Sequence, residues 1–104
     1  MAGQSHGKTP VSQITDAYWR EMISDAAKKT NANSSDGRRV QFQKHLKTRL
    51  APYDYTFLIN AVFWDVNGYS SYTDPNIDTE EYETMRSVEY ENYTFFASVI
   101  GRPA

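Results

Sequence analysis

The stretch that decides the fold is YDYTFLINAVFWDVNGYSSY, residues 53–72. In an extended chain successive side chains point to opposite faces. Tyr53, Tyr55, Phe57, Ile59, Ala61 and Phe63 therefore share one face, and Thr56, Leu58, Asn60, Val62, Trp64 and Val66 share the other. Asn67-Gly68 is the residue pair that a type I′ turn favours, because both central positions need positive φ. The pattern predicts a long strand over residues 53–66 and a hairpin in which Val66 faces Tyr69, Trp64 faces Ser71 and Phe63 faces Tyr72.

Two helices precede the strand. Thr9 and Pro10 read as N-cap and first helical residue of a helix over 10–29. Ile14, Tyr18 and Met22, widened by Trp19, Ile23 and Ala26, form its apolar face. The polar residues 30–37 read as a connection, and Phe42, Leu46 and Leu50 mark a second helix over 38–50. Pro52 ends it by disfavouring the α conformation at Ala51.

After the hairpin, residues 82–91 alternate Tyr82, Thr84, Arg86, Val88 and Tyr90 against Glu83, Met85, Ser87, Glu89 and Glu91. We read them as a strand, against a helical alternative opened by Asp78 with Glu81 at the capping-box position. If Glu91-Asn92 is a tight turn, Tyr93, Phe95, Ala97 and Val99 pair in register with Tyr90, Val88, Arg86 and Thr84. The chain thus reads as α+β: two N-terminal helices packed on one face of an antiparallel meander of about four strands. Residues 1–9 are expected to be a flexible tail and 10–104 a single domain.

Composition removes several functions. With no cysteine in 104 residues there is no disulfide framework, thiolate zinc site or cysteine nucleophile. No apolar run approaches the roughly 20 residues of a membrane helix, and residues 1–9 lack the apolar core of a secretory signal, so a cytoplasmic protein without membrane contact is expected. Gly7-Lys8-Thr9 resembles the tail of a phosphate-binding loop, but Ala2 stands where its first glycine belongs. His6 and His45 have no second histidine within helical reach, and Glu80, Glu81, Glu83, Glu89 and Glu91 follow no calcium-loop spacing. No metal or cofactor is expected, and no catalytic residue is assigned.

Charge is unevenly spread. Residues 1–50 carry nine basic and four acidic side chains, a charge of +5, while residues 51–104 carry two basic and nine acidic ones, a charge of −7. The basic group Arg38, Arg39, Lys44, Lys47 and Arg49 suits a phosphate backbone, although the net charge of −2 is unusual for a nucleic-acid binder. Two helices cover one side of a sheet only, so the face bearing Leu58, Val62, Trp64 and Val66 is expected to be an interface. With Glu81, Glu83, Glu89 and Glu91 on a neighbouring acidic strand, the expected function is a non-enzymatic protein-interaction module, acting as an inhibitor, adaptor or assembly component. Its expected partners are a second copy of the chain and a protein with a basic surface, with mimicry of a nucleic-acid backbone as the furthest extension. The alternative is a nucleic-acid-binding protein using the basic helix 38–50.

Overall fold

A computed structural model describes residues 7–64, 68–72 and 84–101. The elements are β1 (Thr9–Pro10), a 3-10 turn (Val11–Gln13), α1 (Asp16–Lys28), α2 (Ser35–Leu50), β2 (Tyr53–Trp64), β3 (Gly68–Tyr72), β4 (Arg86–Tyr90) and β5 (Tyr93–Gly101). The class is α+β.

Thr9 and Pro10 do not open a helix. They pair in parallel with Tyr53 and Asp54, and the Thr9 N–H donates to the Pro52 carbonyl at 2.9 Å. Proline's fixed φ suits an edge strand as well as a helix start, and only the neighbours decide between them. Ile14 and Thr15 are extended, so α1 begins at Asp16 with Thr15 as N-cap, its Oγ1 accepting from the Tyr18 N–H at 3.1 Å. The buried face of α1 is Trp19, Met22, Ile23, Ala26 and Ala27, while Tyr18 is exposed. Thr9 therefore belongs to the sheet, and residues 1–6 of the expected tail lie outside the described residues.

Helix α2 starts three residues earlier than the apolar spacing indicates, because the Ser34 Oγ accepts from the Gly37 N–H at 3.0 Å and caps it. Its buried positions, Arg38, Phe42, Leu46 and Leu50, repeat every four residues. Ala51 keeps α-helical angles, φ −52° and ψ −37°, contrary to expectation. The helix still stops, since Pro52 has no N–H with which to continue the ladder.

The sheet is mixed and is not a meander. Its order is β1-β2-β5-β4, with β3 on β2, so two hairpins join through an antiparallel β2–β5 pair. The first hairpin pairs Trp64 with Gly68 and Phe63 with Tyr69, leaving residues 65–67 between strands where a two-residue turn was expected. The second follows its expected register, Tyr90 with Tyr93, Val88 with Phe95 and Arg86 with Ala97. Glu91 and Asn92 form its turn at φ 49° and 69°, as type I′ geometry requires. Thr84 extends the ladder by side chain, its Oγ1 bonding the Val99 N–H and carbonyl.

Helix α1 packs on β4 and β5, and α2 on β2 and β3. Their apolar residues join Leu58, Val62, Tyr93, Phe95, Ala97 and Val99 in one core. The other sheet face bears Phe57, Ile59, Ala61 and Phe63 beside Ile100, Ser98, Phe96 and Thr94. Ile59, Ser98 and Ile100 are buried there outside that core, and exposure rises toward Phe63. No described helix is long and apolar enough to cross a membrane.

Surface ion pairs fasten α1 to its surroundings. The Asp16 carboxylate accepts from Arg20 and from Arg86 of β4, and both guanidinium groups hold its pKa below the ordinary 3.8. Asp25 is lowered in the same way by Lys29 and by Arg49 of α2. A carboxylate with a depressed folded pKa adds stability above its unfolded pKa and loses that contribution as pH falls through the folded value. The melting temperature should therefore fall between about pH 4 and about pH 2, and the fall should be smaller in Arg86→Gln. An identical pH profile for that variant would remove Arg86 from the coupling.

Candidate functional site

One group of described residues with polar and aromatic side chains gathers at the turn end of the second hairpin. A non-glycine residue at positive φ carries a conformational cost of about 1 kcal/mol, and Glu91 has a compensating contact. Its carboxylate meets Arg38 Nη2 at 2.9 Å. Arg38 itself is 6% exposed. Its Nε donates to the Ala32 carbonyl, its Nη1 to the Thr30 carbonyl and Oγ1 at 3.2 and 3.1 Å, and its guanidinium lies 4.6 Å from the Tyr93 ring centroid and 6.0 Å from that of Tyr90. One cation thus ties the α1–α2 loop to the β4–β5 turn.

Beside this cluster stands Trp64, 46% exposed, opposite Tyr93 with ring centroids 6.4 Å apart. Trp64 lines a recess of about 470 Å³ with Glu89, Asn92 and Thr94. Glu89 and Thr94 are direct cross-strand partners, and Thr94 pairs on its other side with Phe63, which is 36% exposed. Phe63 packs edge to face on Phe96 at 5.3 Å. Phe63, Phe96, Thr94 and Glu89 thus share the helix-free face, the Trp64 ring belongs to the opposite face, and Glu89 has no ion-pair partner among the described residues.

The expected interface residues are only partly brought together. Leu58 and Val62 are buried in the core beneath the helices, which corrects the face assignment: the helix-free side of β2 is the Phe57 to Phe63 side. Trp64 and Glu89 border the recess from opposite faces of the sheet, Glu91 is held by Arg38, and Val66, Glu81 and Glu83 lie outside the described residues. Phe63, Phe96, Asn92 and Thr94 were not singled out by sequence. Their only signal was the polar Ser87 and Glu89, which mark the outer face of β4 and, through register, that of Thr94 and Phe96.

The basic helix also divides. Arg38 is buried, and Arg49 turns toward α1, where it meets Asp25 at 2.6 Å and Glu21 at 3.8 Å. Arg39, Lys44 and Lys47 line a groove of about 590 Å³ with Val40, Gln43 and Thr48. Arg39 lies 3.9 Å from Asp36, whereas Lys44 and Lys47 have no acid within ion-pair distance among the described residues. Asn60, buried in the core, donates from Nδ2 to the Gln43 Oε1 at 3.4 Å, and its Oδ1 has no hydrogen-bond partner among those residues. Among them too, no group of three His, Asp or Glu side chains is arranged to hold a metal, and His45 stands at the α2 surface without one. No family model, curated protein or solved structure matches the chain.

Proposed function

We infer that the chain is a small non-enzymatic protein-interaction module of the cytoplasm, an adaptor, inhibitor or assembly component, whose first partner is a second copy of itself. The observation that carries this reading is the aromatic strand end: Phe63, exposed and packed on Phe96 on the helix-free face, with the exposed Trp64 next along β2 on its other face. In β2 and β5 the helix-free face bears no charged side chain between Phe57 and Phe63 or between Thr94 and Ile100. The exposed Phe63 end of that face is apolar and uncharged in β2 and β5, and a two-fold axis brings the same patch to itself.

Light scattering at about 50 mM and about 500 mM salt tests the idea, since the higher value screens charge and leaves apolar contact intact. A dimer should persist at both, and Phe63→Ser should shift it to a monomer that still unfolds cooperatively, its melting temperature lower only by the stabilisation the dimer supplied. A monomer at both salts, or a dimer indifferent to Phe63→Ser, rejects this surface.

A second reading rests on the groove of α2, where Lys44 and Lys47 have no acid within ion-pair distance among the described residues. If these cations follow a nucleic-acid backbone, the double change Lys44→Gln with Lys47→Gln should lower the salt slope of oligonucleotide binding by about 2. Retention unchanged by that pair would eliminate the reading.

A further inference from the structure

We propose that single-stranded nucleic acid lies along the groove of α2, with its phosphates on Arg39, Lys44 and Lys47 and one unpaired base on the exposed ring of Trp64. The proposal rests on the second reading above and adds the form of the nucleic acid and the aromatic residue that selects it.

Helix geometry brings the cations to one side. Arg39, Lys44 and Lys47 line the groove with Gln43, on the flank of α2 turned away from the Arg49 contacts with α1. From Arg39 to Lys47 the stripe runs about 12 Å. Arg39 is anchored at its start. Its Nη1 donates to the Gln43 Oε1 at 2.9 Å, the buried Asn60 Nδ2 donates to the same oxygen at 3.4 Å, and the Arg39 side chain is only 16% exposed. Lys44 and Lys47 are exposed, with no acid within ion-pair distance among the described residues. A positioned guanidinium followed by two mobile ammonium groups suits a run of phosphates.

Trp64 stands at the Arg39 end of this stripe. The guanidinium of Arg38, the residue before Arg39, lies 4.6 Å from the Tyr93 ring centroid, and the Tyr93 ring lies 6.4 Å from that of Trp64. Val62 is buried beneath the helices, so Trp64, two residues further along β2, also points to the side on which α2 packs. Its ring is exposed, and Tyr93 meets it tilted by 33°.

The acids nearby divide the roles. Asp36, 3.9 Å from Arg39, and Glu91, paired with Arg38, belong to the Trp64 end. They keep phosphates toward Lys44 and Lys47 and leave that end to an uncharged base. Bases within a duplex are already paired and stacked, whereas a single strand can lay one on an indole. With three cations on a chain of net charge −2, binding is weak and salt-sensitive.

Fluorescence anisotropy with a labelled oligothymidylate of about 12 nucleotides, beside a blunt duplex of equal length, tests the proposal. The single strand should bind about tenfold more tightly than the duplex. Trp64→Leu should lower that affinity about tenfold without changing the salt slope, and Trp64→Phe, which keeps an aromatic face, should retain most of it. The strand should also quench tryptophan emission, a signal that reports Trp64 because Trp19 is buried with its indole N–H donating to the Thr84 carbonyl. Equal affinity for strand and duplex, undiminished binding by Trp64→Leu, or unquenched emission would each overturn the proposal. If binding in those cases still weakened in Lys44→Gln with Lys47→Gln, the groove reading would outlive it. Absence of binding, or binding indifferent to the lysine pair, would remove both.

Discussion

Arg38→Ala should destabilise the fold by about 3 kcal/mol, well beyond the change typical of removing a helix-surface arginine. The side chain is 6% exposed, and its donors serve two main-chain carbonyls, those of Thr30 and Ala32, and the Thr30 hydroxyl. Truncation leaves these acceptors without their donor in a site that Tyr93 and Thr30 help close, and each orphaned group costs roughly 1–3 kcal/mol. Contact of the guanidinium with the Tyr93 ring is lost as well. The Glu91 carboxylate contributes less, because that side chain is half-exposed and an exposed pair is worth about 0–1 kcal/mol. Arg38→Lys should recover only part of the loss, since one ammonium cannot span carbonyls on two residues and a carboxylate beyond them. Urea unfolding of Arg38→Ala, Arg38→Lys and Glu91→Gln gives the comparison. A loss for Arg38→Ala no larger than that for Glu91→Gln would show that the main-chain contacts carry no weight.

The burial of Arg38 also explains why charge arithmetic alone misassigned the basic helix. Five cations in twelve residues look equivalent in sequence, but a helix turns each by about 100°. Arg38 falls on the stripe of Phe42, Leu46 and Leu50, Arg49 on the flank toward α1, and Lys44 and Lys47 on the groove. The apolar spacing contained this division for Arg38, four residues before Phe42. It did not contain the partners, because Glu91 is 53 residues distant and reaches Arg38 only through the positive φ of its own turn.

The sheet was legible within each hairpin and illegible between them. Glu91-Asn92 is short enough that turn geometry and the hydrophobic pattern fix one register, and Val88 indeed faces Phe95. The β2–β5 pairing joins strands separated by a connection that imposes no register. That pairing alone decides which face of β2 meets the helices: Leu58 opposite Val99 and Val62 opposite Phe95 bring the even-numbered residues inward. Thr56 is an extra residue where the register shifts between Tyr55 and Phe57, and no turn signal announces it. A strand with apolar residues on both faces leaves the choice open, which is how Leu58 and Val62 came to be expected on the surface and Phe63 was passed over.

The orientation of the sheet can be tested with one pair of substitutions. Phe95→Ala should cost about 3–5 kcal/mol, the usual range for truncating a fully buried phenylalanine. Phe95 has no exposed surface and meets Phe42 edge to face at 5.0 Å, so its removal opens a cavity between α2 and the sheet at the centre of the core. Phe63→Ala, at a position 36% exposed on the opposite face, removes the same atoms but should cost less than about 1.5 kcal/mol. Among the described residues it meets Phe96 edge to face, and water already reaches the ring. Both variants should be measured in dilute protein, because any dimer through Phe63 would add its own stabilisation to the reference. If the two costs were equal or reversed, the helices would have to lie on the Phe63 side. The aromatic corner would then be core and the interaction surface would be lost with it. A large gap places Phe95 inward and Phe63 outward, and leaves the corner of Phe63, Trp64 and Phe96 as surface that a partner can reach.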